Sequence, residues 1–495
     1  MRTVPGSTDS VVIVGAGLGG LSAALYLAGA GRHVTVIERE AVAGGRAGLI
    51  REHGYHFDTG PTVLTMPNLV ASALAAVGEE LSDWLTLHRL DPAYRARFAD
   101  GSTLDVRANV EEMADEIAKM CGPTNAAGYA RYVAFLRELY DIELPHFIAR
   151  NLDSPLQLLG VPLARLALMG GFRRLGPKVA QFFDDDRLRR LFSFQAMYAG
   201  LAPADALAIY AVITYMDCID GVYFPDGGMH AVPRALAAAA AAHGVKFRFR
   251  TTVSRIEVAG DRARAVITSD GDRIPADVIV VNADLPSVYE KFLPPGYTPR
   301  RVGRLRYSPS AVVLHAGSSA TYPAAAHHTI DFGSSWDATF RHLIDRGELM
   351  SDPSFLITNP TQTDPSLAPA DRHTYFALFP APNLAHRNPI NWAAERGRYR
   401  DHIVATLEER GYPGFGDAIE CERLVTPADW QAQGLAAGAP FAAAHTFGQT
   451  GPFRAPTVDP RVENLVFCGS NTQPGVGVPM VLISGQLAAQ RIAGA

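Results

Sequence analysis

The sequence predicts an α/β protein, α+β overall, whose parallel sheet is assembled from both ends of the chain and interrupted by two long excursions of helix and antiparallel sheet. Three observations predict it. The apolar run Val11–Val14 feeds a Gly15, Gly17, Gly20 turn, a helix-forming stretch Leu18–Ala30 and a second β-branched run Val34–Ile37. A strand, glycine loop and helix recur at the far end, with Leu465–Cys468, the glycines from Gly469 to Gly477, and a helix from about Val481 to Ile492. Between them, the apolar run Asp277–Val281 returns as a buried strand after stretches that alternate with period two.

In the opening unit, a short and wholly apolar strand suits the interior of a parallel sheet. Gly15 permits the sharp turn, Gly17 lets backbone approach a pyrophosphate, and Gly20 lets helix and strand pack closely. The helix N-terminus offers free N–H groups and a partial positive charge to phosphates. Glu38 ends the second strand, 23 residues past the first glycine, where a carboxylate accepts from ribose hydroxyls. Glycine spacing alone is weak evidence. With both strands, the helix and the acid in place it predicts a dinucleotide site, the alternative being a glycine turn between packed elements. Gly44, Gly45 and Arg46 follow within a few residues. A GGR there suits a flavin, with the chain turning back beside the pyrophosphate and Arg46 meeting it; the alternative is a solvated arginine in a loop. This unit resembles the opening of the flavoprotein superfamily that includes amine oxidases and carotenoid desaturases.

Composition narrows the class. A chain of 495 residues allows two or three domains and a substantial core. With 45 basic against 50 acidic residues, nothing favours a nucleic-acid partner. Charged residues are only 19% and mean hydropathy is +0.04, which leans towards a protein that handles apolar material. Cys121, Cys218, Cys421 and Cys468 are far apart, with no CxxC or Cys/His spacing, so neither a metal site nor a disulfide framework is expected. Residues 1–10 are polar and no apolar run reaches membrane-span length. The expectation is a cytoplasmic protein with membrane contact from one side only.

After the opening unit, a strand is expected at Tyr55–Asp58 and a turn at Gly60–Pro61. Residues 66–150 read as mainly helical, broken by a hairpin of Tyr94–Phe98 with Thr103–Val106 across Asp100–Gly101. The aromatics of Tyr129–Tyr140 read as core, with a ligand wall as the alternative. In Leu156–Arg190, large apolar residues alternate with Arg165, Arg173, Arg174, Lys178, Arg187, Arg189 and Arg190. Such a segment lies in a bilayer interface or packs as a helical subdomain with a solvated basic face. Gly227–Gly228 leads into a helix over Ala231–Ala242, followed by a strand at Val245–Phe249 and β structure from Thr251–Val258 to Arg264–Thr268. Ser310–Ala316, Ser354–Asn359 and Tyr375–Pro380 read as antiparallel strands, and 392–411 as an exposed charged helix. In the closing unit, the N–H groups at the helix start suit negative charge on a reduced flavin; a structural βα unit is the alternative.

The longer motifs carry a more specific resemblance. FDTGPTV at 57–63, FPDGGM at 224–229, NAD at 282–284, HHTI at 327–330, TDPSLAP at 363–369, TPADW at 426–430 and HTFGQTGPFR at 445–454 lead up to the closing GSNTQPGVGVPMVLISG. Together they resemble the bacterial-type phytoene desaturases, nearly end to end; the closing signature looks most like the actinobacterial branch. Asn471 departs from the small residue usual in that family. The resemblance implies a Rossmann-type FAD-binding domain from 1–75, 224–300 and 455–495. It implies a discontinuous substrate domain of antiparallel sheet and helices from 76–223 and 301–454, with 156–190 as the membrane-contacting region. FAD would be held by Gly15, Gly17, Gly20, Glu38, Gly45, Arg46, Gly60, Pro61, Val253, Gly469, Gly477, Val478 and Pro479.

What the family likeness implies chemically is stepwise desaturation of a lipophilic linear polyene, phytoene to lycopene by default, at a membrane surface, with oxygen or a quinone as electron acceptor. Hydride goes to the flavin and a proton to a base, and the protein aligns one C–H bond and excludes water. No catalytic side chain is assigned by motif; His327, His328 and His445 read as structural hydrogen-bonders before bases. Rivals within the fold are a carotenoid isomerase, a ketolase-like oxidase and a later-step desaturase. A non-redox lipid carrier like the GDP-dissociation inhibitors is opposed by the intact opening motif.

Overall fold

The computed structural model describes residues 1–494. Its organising layer is a five-stranded parallel sheet in the order Leu465–Phe467, Val278–Val281, Ser10–Val14, His33–Ile37, Lys246–Arg248. Residues from four distant parts of the chain therefore lie side by side, with Val11 opposite both Val278 and Val34. The central strands read as unbroken apolar runs because both faces are covered. Helices Leu18–Gly29, Ala231–Ala242 and Val478–Ala493 pack together, and the three-stranded antiparallel sheet of Val253–Ala259, Arg262–Thr268 and Arg273–Pro275 adds a second apolar cluster.

The first and last helices touch through small residues. A Cβ on Gly485 would fall 2.3 Å from the Gly19 carbonyl oxygen, and the Ser22 hydroxyl donates to Leu482 O at 2.7 Å. Glycine here shortens the distance between the two chain ends rather than relieving a backbone angle.

The second layer is a seven-stranded sheet ordered Ile419–Val425, Ser310–Ser318, His373–Ala381, Phe355–Thr358, His328–Phe332, Tyr94–Phe98, Thr103–Val106. All pairs are antiparallel except His328–Phe332 with Tyr94–Phe98. That one parallel pair welds the two excursions into a single sheet. Helices Val110–Cys121 and Pro123–Glu143, and the short helical turns from 144 to 219, stand over it.

The expected hairpin of Tyr94–Phe98 and Thr103–Val106 and the helix Ala231–Ala242 are present as read. Three differences have physical causes. The closing helix begins at Val478, because Pro479 is suited to the first turn of a helix. The charged helix, Trp392–Glu409, buries Trp392, Tyr399, Ile403 and Leu407 against the large sheet, so only its outer face is solvated. The strands His328–Phe332 and Ile419–Val425 escape the alternation reading: the first is buried on both faces, and the second is an edge strand in which Glu420, Glu422 and Arg423 interrupt the apolar residues.

Candidate active site

The loops at the carboxyl ends of the parallel strands close on one another. Glu38, at the tip of the second strand, accepts from the backbone N–H of Ala16 at 2.7 Å and of Glu40 at 2.9 Å. Gly44 N donates to Ala16 O at 2.9 Å, bringing the GGR loop against the first glycine turn. Arg46 crosses the gap, donating to Pro440 O and to the Ser470 hydroxyl of the closing loop. Burial lowers its pKa while the nearby Asp284 carboxylate opposes that. Gly20 is packed as its position requires, since a Cβ there would lie 2.2 Å from Gly15 O.

Helices Leu18–Gly29 and Val478–Ala493 both start at a glycine with no side-chain cap, Gly17 and Gly477, and both starts line one cavity of about 1840 Å³. That is larger than the roughly 300–1,000 Å³ typical of a site for one small ligand. Gly15, Gly17, Glu38, Gly45, Arg46, Gly60, Pro61, Val253, Gly469, Gly477, Val478 and Pro479 all line it. Of the residues expected at the cofactor only Gly20 does not, in keeping with its packing role. Two uncapped helix starts, a carboxylate at a strand tip and a half-buried arginine are the donor and acceptor set a dinucleotide requires, so the residues present fit a flavin dinucleotide.

Several residues that organise this site carry no spacing signal. Asn282, following the strand Val278–Val281, fills the glycine turn; with its amide oxygen facing them it accepts from Gly17 N and Gly20 N at 3.2 Å each. Asp284 accepts from Ala436 N at 3.1 Å and from the Asn471 amide at 2.6 Å, while Asn471 in turn accepts from Ala443 N at 2.9 Å. The departure from a small residue at 471 thus has a local use: it ties the closing loop to Asp284. Arg454 is buried and donates to the carbonyls of Thr472, Gln449, Ala443 and Ser470; burial lowers it to about 10. Asp58, in the FDTGP motif, accepts from Met229 N at 2.8 Å and His230 N at 2.9 Å, and burial pushes it up to about 6. The FDTGP and DGGM motifs are therefore two halves of one joint.

The other half of the cavity is apolar and belongs to the excursions. Leu158, Leu163, Leu166, Ile213, Met216 and Phe332 are among its lining. Phe172, Phe447 and Phe453 line it and are also exposed, so it reaches the surface beside them. Around this opening Leu156, Leu159, Val161 and Leu168 stand out into solvent, with 73% of Leu156 and 88% of Leu168 exposed. Most of the cations nearby are engaged elsewhere. Arg165 pairs with Glu138 at 2.8 Å, Arg187 with Asp185 at 2.7 Å and Arg190 with Asp186 at 2.8 Å, and Lys178 lies 4.7 Å from the Phe135 ring centre.

Of the three histidines considered, His327 and His328 lie outside the lining, bonded to Thr363 at 2.7 Å and Thr358 at 2.9 Å. Burial pushes His327 down to about 3 and His328 well below its usual range. His445 does line the cavity and is also held neutral by burial. Two carboxyls in the lining have no hydrogen-bond partner on at least one buried oxygen: Glu143 and Asp217. Among the described residues no cluster of ligands suited to a metal ion occurs, and no helix is long and apolar enough to cross a membrane.

Comparison with known proteins agrees with this geometry. Residues 18–493 match the family of flavin containing amine oxidoreductases. A phytoene dehydrogenase of Streptomyces griseus is 56% identical over 495 residues, covering 100% of this chain and 97% of that protein. A ζ-carotene-forming phytoene desaturase of Myxococcus xanthus is 38% identical, covering 97% of this chain and 93% of that protein. The fold is shared with a putrescine oxidase solved with putrescine bound, with a TM-score of 0.63 at 17% identity over 99% of this chain and 100% of that one. The chain belongs to the flavin containing amine oxidoreductases, and its cofactor is FAD.

Proposed function

We propose that the protein is an FAD-dependent desaturase that introduces double bonds into a linear carotenoid, phytoene in the first instance, giving lycopene-type products. The observation that carries this reading is the single cavity, polar and backbone-lined at one end and apolar at the other, with room for a dinucleotide and an oily chain side by side. The names of the relatives, phytoene dehydrogenase and phytoene desaturase, support the substrate class. FAD supplies a two-electron acceptor for hydride from an allylic carbon. Gly15, Gly17 and Arg46 would hold its pyrophosphate, Glu38 its ribose, and Val253 its adenine by backbone. Gly60, Pro61, Gly469, Gly477, Val478 and Pro479 would hold its ring end, with Gly20 keeping helix and strand close. In this reading the Rossmann-type FAD domain comprises 1–75, 224–300 and 455–495, and the substrate domain 76–223 and 301–454.

The same reading makes the protein a peripheral membrane enzyme of the cytoplasmic side, reoxidised by oxygen or a membrane quinone. The docking surface is the apolar crest of Leu156, Leu159, Val161, Leu168 and Phe447 rather than the cations of 156–190, because most of those cations already have partners. Exposed apolar side chains continuous with an apolar cavity favour a lipid surface from which substrate enters directly. The test is incubation of the FAD-loaded protein with phytoene in liposomes and chromatography of the pigments. Coloured, more unsaturated polyenes support the reading. Recovery of unchanged phytoene, or of geometric isomers alone, refutes it.

A further inference from the structure

Desaturation that delivers hydride to one place must deliver a proton to another, and the apolar half of the cavity offers few groups to take it. Glu143 is the last residue of the helix Pro123–Glu143, where the chain passes into the wider π-type turn Leu144–Ile148. Such turns re-aim side chains and recur at functional sites. The carboxyl is buried, lines the cavity, and has one oxygen sealed from solvent with no hydrogen-bond partner. A carboxyl kept in that condition is costly, and neither core packing nor an ion pair accounts for it.

Its surroundings point towards the cofactor end. Tyr210 is close enough to feel the Glu143 charge, which adds to burial in raising the phenol. The Tyr210 hydroxyl donates to His445 O at 2.7 Å, and the two rings meet edge to face at 5.8 Å. The His445 ring in turn lies against Gly475 of the closing loop, where a Cβ would come within 2.2 Å of it. Glu143 thus shares the cavity wall with Tyr210 and His445, the pair that reaches the loop starting the last helix. Asp217 differs: it sits in another polar cluster, in which its charge bears on Tyr94, Tyr198 and Cys218, and nothing ties it to the closing loop.

Resting on the desaturase reading, we propose that Glu143 is the proton acceptor of the reaction. FAD, when bound, would supply the acceptor for the hydride, with its electron pair, that one allylic carbon loses. The C–H bond of the adjacent carbon breaks, its electrons become the new second C–C bond, and its proton passes to a Glu143 carboxylate oxygen. A carboxyl whose neutral form burial favours is a stronger base, once ionised, than a solvated one, so single-turnover bleaching should speed up as pH rises and Glu143 loses its proton. The neutral form left behind suits an apolar product sliding past it.

The test compares the FAD-loaded wild type with Glu143→Gln, which keeps the shape and cannot accept the proton. Anaerobic single-turnover bleaching of the flavin by phytoene in liposomes should slow at least a hundredfold in the variant, with FAD content and quenching of flavin fluorescence by bound polyene retained. Glu143→Asp should recover part of the rate. In infrared difference spectra, wild type should gain a protonated-carboxyl band on turnover, and Glu143→Gln should lack it. A Glu143→Gln rate within tenfold of wild type, or a lost band in Asp217→Asn instead, overturns the assignment. If the wild type itself is not bleached by phytoene, it is the desaturase reading that fails.

Discussion

At the end of the cavity proposed for the dinucleotide, close backbone approach at glycines sets the shape and a few side chains such as Glu38 and Arg46 pin it; at the end proposed for the polyene, the wall is made of side chains. The first end is made where four strand termini and two helix starts converge, and its contacts are set by what is missing, a Cβ at Gly19, Gly20 or Gly485. The second end is made by two excursions welded through one parallel strand pair, and its contacts are set by what is present, leucines, aromatics and two unpartnered carboxyls. The first arrangement tolerates little change at single positions. The second should tolerate exchange of one apolar residue for another and respond sharply only where a polar group is involved.

The largest effect that would test this contrast is at the helix contact. Gly485→Val places a branched side chain where even a Cβ would be 2.3 Å from the Gly19 carbonyl. It should cost about 3 kcal/mol or more and yield protein without bound flavin, read from the visible absorption after purification. Yellow protein with unaltered melting would break the account of how the chain ends are joined.

Next comes the apolar crest. Leu156→Asp, Leu159→Asp and Leu168→Asp together should weaken liposome co-sedimentation at least tenfold while leaving flavin content intact, since these side chains are exposed. Charge reversal of Arg173, Arg174 and Lys178 should weaken it less. The opposite ranking would return the docking role to the cations.

The glycine half was readable in the sequence because a tight turn between a strand and a closely packed helix has a local requirement. Gly15, Gly17 and Gly20 must be small at fixed spacing, and Glu38 must end a strand of known length. All four fall where that requirement puts them. The two-ended construction was readable for the same reason, since Gly469 and Gly477 repeat the pattern. Glu143, Asp217, Asn282 and Arg454 were not readable. Each is an ordinary polar residue in its own segment and acquires meaning only from partners far away in the chain, as Arg454 does from Ser470 and Thr472. The strand His328–Phe332 was missed because burial on both faces erases alternation.

A smaller effect concerns pH. Burial raises Asp217 to about 7. A carboxyl raised above its unfolded value contributes stability that is complete below about pH 4 and is lost as pH rises through about 7. Asp217→Asn should therefore melt close to wild type at pH 4 and a few degrees higher at pH 8, checked by thermal melts across that range. A variant equally destabilised at both ends would mean the carboxyl is hydrogen-bonded rather than merely buried.

The smallest effect is expected at the histidines outside the lining. Both are held neutral by burial and bonded to threonines. His327→Gln should keep the desaturation rate within about twofold, measured under saturating substrate. A fall of more than a hundredfold would move the chemistry to that side of the large sheet.

The most direct test of a cofactor and a polyene sharing one cavity is a stoichiometric one. FAD-loaded protein is mixed anaerobically with phytoene in liposomes, and flavin bleaching is followed together with the polyene absorption that grows in. The account predicts one double bond formed for each flavin reduced, with colour returning when oxygen or a quinone is admitted. New pigment formed while the flavin stays oxidised throughout would contradict it.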